Sequence, residues 1–147
     1  MREGLVSGSL ASIFSAAYLA WAGRRSGVPA APVNAVSHWF FGDRSLQQDE
    51  ASLAYTLTGY LTHHGASLFW AVLHAKLWGT KAIAKKPLPA AAGAVAAAGI
   101  ACFVAYQLTP RRLTPGFAHR LARPDMTGVY ACFALGLMVG SLVMRKR

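Results

Sequence analysis

The chain has little charge, and very little of that charge is negative. Only 14% of its 147 residues are charged, whereas soluble domains average about 25%. Five residues are Asp or Glu against fifteen Lys or Arg, and 54% are hydrophobic. These shortages exclude a typical soluble domain and point to a membrane protein.

The motifs of common enzymes are also missing. The chain has no phosphate-binding glycine loop, no G-x-S-x-G, no H-E-x-x-H and no C-x-x-C. Ser67 and His63 lie at helical spacing, but no acid accompanies them. The two cysteines, Cys102 and Cys132, fall in apolar runs and behave there as small hydrophobes, so no disulfide is predicted. We therefore predict that the protein is not an enzyme.

Four long apolar runs dominate the sequence, at residues 4–22, 52–78, 89–108 and 126–144. With a rise of about 1.5 Å per residue, about 20 helical residues cross the ~30 Å hydrocarbon core of a bilayer. Each run is long enough to do so, and little chain is left for anything else. The prediction is an all-α protein with a single domain, 1–147, and four transmembrane helices.

The basic residues surround these runs instead of forming one face. The net charge of +10 is therefore explained by contact with lipid headgroups, and no nucleic-acid partner is predicted. With four spans, both termini and the loop 79–88 share one side, which carries eight of the fifteen Lys and Arg and all of the lysines. This weak asymmetry predicts a multi-pass protein of the bacterial inner membrane with cytoplasmic termini.

A short helix is predicted between the first and second spans. Pro32 suits a helix start, and the stretch from Val33 to Phe41 ends in three consecutive aromatic residues. Because aromatic side chains concentrate at the membrane–water boundary, we expect this helix to be interfacial.

Small residues recur at four-residue spacing in three of the runs. Such patterns allow helices to approach closely in lipid, where packing drives association. The run 89–108 is the richest in alanine, so we expect it to be central and encircled. The pattern consists of Gly4, Gly8, Ser12 and Ala16, then Gly93, Ala97 and Ala101, then Gly136 and Gly140.

The second run is the most informative because it places ionisable groups deep in a predicted span. Such groups are costly in lipid and indicate a functional site by default. As a helix, this run puts most of its polar side chains on one face, with His63 and His74 roughly 16 Å apart along the axis. The polar stripe consists of Tyr60, His63, His64, Ser67, Trp70 and His74.

Three interpretations of this stripe stay open. The imidazoles either fix helix packing through hydrogen bonds or line a ligand or proton pathway, since histidine titrates near neutral pH. Haem or metal ligation is the third, with His63, His64 and His74 as candidate ligands. Adjacent histidines point about 100° apart on a helix, so a centre would need help from other residues or another chain. No cofactor is predicted.

Polar residues also concentrate in the two loops on the side opposite the termini. Arginine forks there suit carboxylates or phosphates, including lipid headgroups, and the alternative is that Arg–Asp pairs hold the two loops together. Asp43 or Asp49 is the expected partner of Arg111 or Arg112, and Asp125 is expected to cap the last helix. This outer-loop cluster consists of Asn34, His38, Trp39, Asp43, Arg111, Arg112, His119 and Arg120.

Three segments carry a resemblance: PVNAVSHWFFGD, GYLTHHGASLFWAV and YQLTPRRLTPGFAHRL. Together they resemble a group of small uncharacterised proteobacterial inner-membrane proteins with four helices. More loosely, the second run and the Leu-Thr-Pro after the third resemble inner-membrane proteins linked to acid resistance. The resemblance implies the fold and the membrane but brings no activity and no site residue.

Three functions are compatible with the sequence. The first is a non-enzymatic accessory subunit or homo-oligomer, packed against other membrane chains or copies of itself and against membrane lipids. The second is a small transporter or channel lined by the polar stripe. The third is a haem- or metal-binding redox subunit.

Overall fold

The computed structural model describes residues 1–144, and all regular structure in that part of the chain is helical. The six α-helices are α1 (Arg2–Arg25), α2 (Ala31–Val36), α3 (His38–Phe41), α4 (Thr58–His74), α5 (Pro87–Phe103) and α6 (Arg123–Val143). Wider π turns at Leu53–Leu57 and Ala75–Gly79 continue α4 in both directions, and a third at Val104–Leu108 continues α5. With these turns included, α4 is a continuous helix over 53–79 and α5 over 87–108, and the two labels have that meaning from here on.

Three helices, α1, α5 and α6, are long and apolar enough to cross a membrane, which indicates a membrane protein. The predicted all-helical class is thus confirmed, along with a membrane-compatible helix for three of the four predicted spans. The α4 helix is the longest, at about 40 Å. It is not among the three membrane-compatible helices, and it carries His63, His64 and His74 within its length.

The centre of the bundle is α1, which packs along α6 on one side and along α4 on the other. A Cβ on Gly136 would overlap the Cα of Ala11, and one on Gly140 would overlap Ser7. On its α4 side, Gly4 lies against the backbone of Val72. Small residues on two faces of α1 therefore let both neighbours approach to backbone contact.

The prediction that the alanine-rich run is central was wrong. The α5 helix packs mainly on α6 through buried Ala94 and Ala98, while Val95, Ile100 and Phe103 on its other sides are exposed. Small residues show that a helix tolerates a close neighbour, but they do not show how many neighbours it has. The α1 helix, in contrast, packs along two long helices and also contacts α2, and it has small residues on both of the faces that meet long helices.

The four long helices alternate in direction. At one end, called the terminal end, Glu3 of α1 forms an ion pair with Lys85 and accepts a hydrogen bond from Ser141 Oγ at 2.8 Å. At the other, called the loop end, Arg25 lies 3.3 Å from Asp125 at the start of α6. Basic residues 145–147, which contribute to the orientation prediction, lie outside the described part of the chain.

Two short helices, α2 and α3, stand where one was predicted. All six residues of α2 are buried, beneath α1, α4 and the segment Gly116–His119, with Pro32 in the first turn as expected. Phe40 and Phe41 of α3 are exposed. This segment therefore fills the loop end of the bundle and presents only its aromatic tip outward.

The expected capping role of Asp125 was wrong. The α6 helix begins at Arg123, so its N-cap position is held by Ala122, without a side-chain hydrogen bond. Asp125 lies in the first turn, where its carboxylate pairs with Arg25 and accepts from the Tyr18 hydroxyl at 3.4 Å. The carboxylate joins α6 to α1 and also lies where the helix dipole favours negative charge.

Candidate functional site

The polar stripe of α4 does not form one continuous network. Its members meet different partners at three depths: the loop end, the middle of the helix and the terminal end. Ser67 is buried, but its hydroxyl donates to the carbonyl of His63 on the same helix, at 2.8 Å, so this hydrogen bond does not join two helices. The three depths are described in turn.

At the loop end, the part of α4 that precedes the stripe is held by Asn34 through Thr56. This fully buried side chain donates to the carbonyls of Gln48 and Glu50 at 3.0 and 2.9 Å and accepts from Thr56 Oγ1 at 2.6 Å. Next to it, a Cβ on Gly59 would overlap the carbonyl of Val33. Asn34 is thus a structural link between α2, the 42–52 segment and α4, with its amide hydrogen-bonding capacity largely used.

In the middle of α4, His63 reaches across to α1. Its Nε2 lies 2.8 Å from Ser15 Oγ, and Ser15 is fully buried. Both side chains line a cavity of about 80 Å³, which is also lined by Phe117 from the second loop and by Tyr130 of α6. This is the one place in the described chain where a stripe histidine is hydrogen-bonded to another long helix.

His64 points to a different side of α4, as expected for adjacent helical residues. Its ring stacks on Tyr60, with centroids 5.8 Å apart and an interplanar angle of 29°. Its Nδ1 is buried without a hydrogen-bond partner among residues 1–144. His63 and His64 therefore do not converge on a common point.

Toward the terminal end, His74 is 6% exposed, and its Nε2 has no hydrogen-bond partner in the described chain. It lines a second cavity, of about 210 Å³, which is bounded by Trp70 and Trp78 of α4 and by small residues of α5. Trp70 lines both this cavity and the first one. The side chain of Trp70 thus lies between the cavity beside His63 and the cavity beside His74.

The outer-loop cluster is partly assembled. Trp39 Nε1 donates to the Thr114 carbonyl at 3.3 Å, and Arg120 donates to the Leu46 carbonyl at 2.8 Å and forms an ion pair with Asp49. The two loops are therefore joined through Trp39 and through Arg120. The expected pairing of Asp49 with Arg111 or Arg112 was wrong.

Other members of that cluster remain apart. Asp43, Arg111, Arg112 and His119 are exposed and do not form ion pairs with any residue in the range 1–144. His38 is buried, and its Nδ1 lies 2.9 Å from the Ala35 carbonyl, so it closes a turn of its own segment. The arginine groups that a phosphate would need are thus not gathered into one pocket.

The sequence did not point to the polar cluster at the terminal end, which consists of Glu3, Lys85 and Ser141. Lys85 Nζ also lies 3.3 Å from the Ser141 carbonyl, and both charged side chains are less than one fifth exposed. The one sequence feature that could have indicated this cluster is Glu3, an isolated acidic residue at the start of an apolar helix. Its partners lie 82 and 138 positions away, so only the antiparallel fold reveals them.

No group of three or more His, Cys, Asp or Glu side chains suited to a metal ion occurs within residues 1–144. The haem or metal interpretation therefore stays a prediction without a ligand set. No family model, curated protein or solved structure matches this chain. The resemblance to small proteobacterial inner-membrane proteins likewise stays a prediction.

Proposed function

We propose that this protein is a non-enzymatic inner-membrane protein with four spans, in which α4 is the fourth. In support, α4 alternates in direction with α1, α5 and α6 and exceeds the ~30 Å length that a span requires. The exposed Phe40 and Phe41 suit the membrane–water boundary at the loop end. Lys81 and Lys86 are exposed at the terminal end, which favours a cytoplasmic position for that end.

Its role, in this proposal, is to associate with a membrane-spanning helix of another chain or of a second copy. The observation that carries this is an open groove of about 390 Å³ on the outer surface between α5 and α6. Gly99 is one of the residues that line this groove, and a Cβ added to it would meet no atom within 4 Å. The groove is lined by Val95, Ala98, Gly99, Cys102, Met126, Thr127, Tyr130, Ala131 and Ala134.

Small residues on a surface that meets lipid support this role. Inside the bundle, glycine and alanine are covered by a neighbouring helix, as Gly136 is by α1. In the α5–α6 groove the same kind of surface is uncovered. Close packing of small residues drives helix association in membranes, so a further helix would gain contacts there that lipid chains make less well.

Native mass spectrometry of protein gently extracted from its own membranes tests the proposal. We expect added polypeptide mass, and we expect Gly99→Leu to remove it by filling the groove. Gly65→Leu is the matched control, because Gly65 is also an exposed helical glycine with nothing within 4 Å of an added Cβ. A wild-type protein that carries only lipid, or equal loss in both variants, contradicts the proposal.

A second candidate, a solute or proton pathway, is favoured by the His63–Ser15 pair beside a cavity. The cavity volume of about 80 Å³ exceeds the ~10–15 Å³ that one water needs. Against it, Trp70 and Ala71 interrupt the polar lining between His63 and His74. Flux of protons into liposomes by the wild type, lost in His63→Phe, would support this function over association alone.

A further inference from the structure

An open pocket at the terminal end of the bundle carries charged side chains, unlike the three cavities described above. Its volume is about 620 Å³, and it lies where the loop between α4 and α5 meets the first turn of α1 and the end of α6. It is lined by Glu3, Gly79, Thr80, Ala82, Lys85, Lys86 and Met144.

The one acidic side chain in this lining is already neutralised. The Glu3 carboxylate pairs with the Lys85 ammonium and accepts a hydrogen bond from the Ser141 hydroxyl at 2.8 Å. A Cβ on Gly79 would overlap this carboxylate, so the backbone at the end of α4 lies against it as well. The charges of Glu3 and Lys85 therefore cancel, and the charge that remains in the pocket is that of Lys86.

Lys86 has no acidic counterpart at this end of the described chain. It is exposed and forms no ion pair with any residue in the range 1–144. Four of the five Asp and Glu residues lie at the loop end, in the segment 43–50 and at the start of α6. Lys76 and Lys81, which are exposed, add positive charge at the terminal end. An anionic group from outside the chain can therefore supply the counter-charge that the chain itself lacks here.

The surroundings of the pocket are those of a membrane–water boundary. The Lys81 ammonium lies 5.0 Å from the centre of the Trp78 ring, and tryptophan concentrates at the headgroup level of membranes. On either side of Lys86 in the sequence, Ile83 and Leu88 are 52% and 80% exposed. Apolar surface that can meet acyl chains therefore adjoins the charged pocket.

We propose that this pocket binds the headgroup of an anionic phospholipid. The lipid phosphate would lie against the Lys86 ammonium and the Thr80 hydroxyl, and the acyl chains would run along Leu88. A lipid fits better than a free phosphate ion because one amphipathic molecule meets both the charged pocket and the apolar surface beside it. Basic pockets between membrane-spanning helices bind lipid headgroups in this way. The site is separate from the α5–α6 groove, so it does not rest on the proposed association.

Native mass spectrometry of delipidated protein provides the assay, because each bound lipid adds a discrete mass. The protein is titrated with phosphatidylglycerol, which has a net negative charge, and separately with phosphatidylcholine, which has none. We expect the first phosphatidylglycerol to bind about fivefold more tightly, the factor for one lysine near an anionic lipid surface. Glycerol 3-phosphate in molar excess is not expected to displace it. Equal affinity for the two lipids, or displacement by glycerol 3-phosphate, would overturn the proposal.

Matched lysine variants locate the site. Lys86→Gln removes the free charge of the pocket and is expected to weaken phosphatidylglycerol binding about fivefold, whereas Lys86→Arg keeps the charge and should retain binding. Lys76→Gln is the control, because Lys76 is also an exposed lysine at the terminal end but lies outside the lining. Wild-type binding by Lys86→Gln would overturn the proposal. An equal loss in both glutamine variants would also do so, since the preference would then belong to the overall charge of this end.

Discussion

Glycine and alanine line both the α1–α6 interface and the α4–α5 interface, but the first is tightly packed and the second contains a cavity. In the first, Gly136 faces Ala11 so closely that an added Cβ would overlap the backbone of α1. In the second, Gly93 and Ala97 face tryptophan and histidine rings, and a cavity of about 210 Å³ remains. Where small residues face small residues, the two helix backbones meet and no space remains, and we call this the closed interface. Where small residues face aromatic rings, the rings hold the helices apart and a cavity remains, and we call this the open interface.

The largest expected effect comes from breaking the closed interface. Gly136→Leu drives a side chain into the backbone of α1, and we expect a loss of about 3 kcal/mol or more in unfolding free energy. Gly99→Leu adds the same side chain to open space and is expected to change stability little. Thermal unfolding of both variants in the same detergent checks the contrast, and similar midpoints would contradict it.

A smaller loss is expected at the terminal end of the closed interface. Glu3→Ala removes the ion pair with Lys85 and the acceptor of the Ser141 hydroxyl, leaving a partly buried ammonium unpaired. Because both side chains keep some exposure, we expect about 2 kcal/mol. Chemical unfolding of the single variant and of Glu3→Ala with Lys85→Met measures this, and the second substitution should recover part of the loss.

The α1–α4 interface offers a matched pair of serines. Ser15→Ala removes the hydroxyl that meets His63 Nε2, and we expect a cost of about 1 kcal/mol, as for other hydrogen bonds between helices in membranes. Ser12 is equally buried, but its hydroxyl has no partner among residues 1–144. Ser12→Ala is therefore expected to be neutral or stabilising, and a reversed order in unfolding measurements would contradict the assignment of this contact.

The smallest effect is expected from filling the open interface. Ala96→Phe places a ring in the α4–α5 cavity, and we expect a change within about 0.5 kcal/mol, as for other substitutions that meet no packed atoms. Ala92→Phe controls for the added apolar surface. A large loss in Ala96→Phe alone would show that this space is closed, and the contrast between the two interfaces would fail.

The sequence predicted where the helices lie in the chain better than it predicted how they pack against one another. Apolar length predicts the spans because the bilayer fixes the length, and the glycine spacing of α1 and α6 predicts close packing. Which helix lies at the centre depends on the number of neighbours, a property that α5's own alanines do not encode. The α4 helix, whose histidines make it the most informative run of the sequence, is not among the three helices that are long and apolar enough to cross a membrane.

The site was predictable only within one helix. Periodicity places Tyr60, His63 and His74 on one face, but their partners come from distant parts of the chain, as Ser15 does for His63. Arg120 was included in the outer-loop cluster, yet its pairing with Asp49 was not predicted, because loop geometry selects among nearby arginines. Long-range antiparallel contacts, such as that between Glu3 and Lys85, leave no local pattern.

Site-specific photo-cross-linking in native membranes tests the central claim, that the open α5–α6 groove receives another helix. A benzophenone amino acid would be placed at position 99 in the groove and, in a second variant, at position 65 on α4. The account predicts a protein adduct, visible as a shift in mass, from position 99 and none from position 65. Adducts at both positions alike, or lipid adducts alone from position 99, would contradict it.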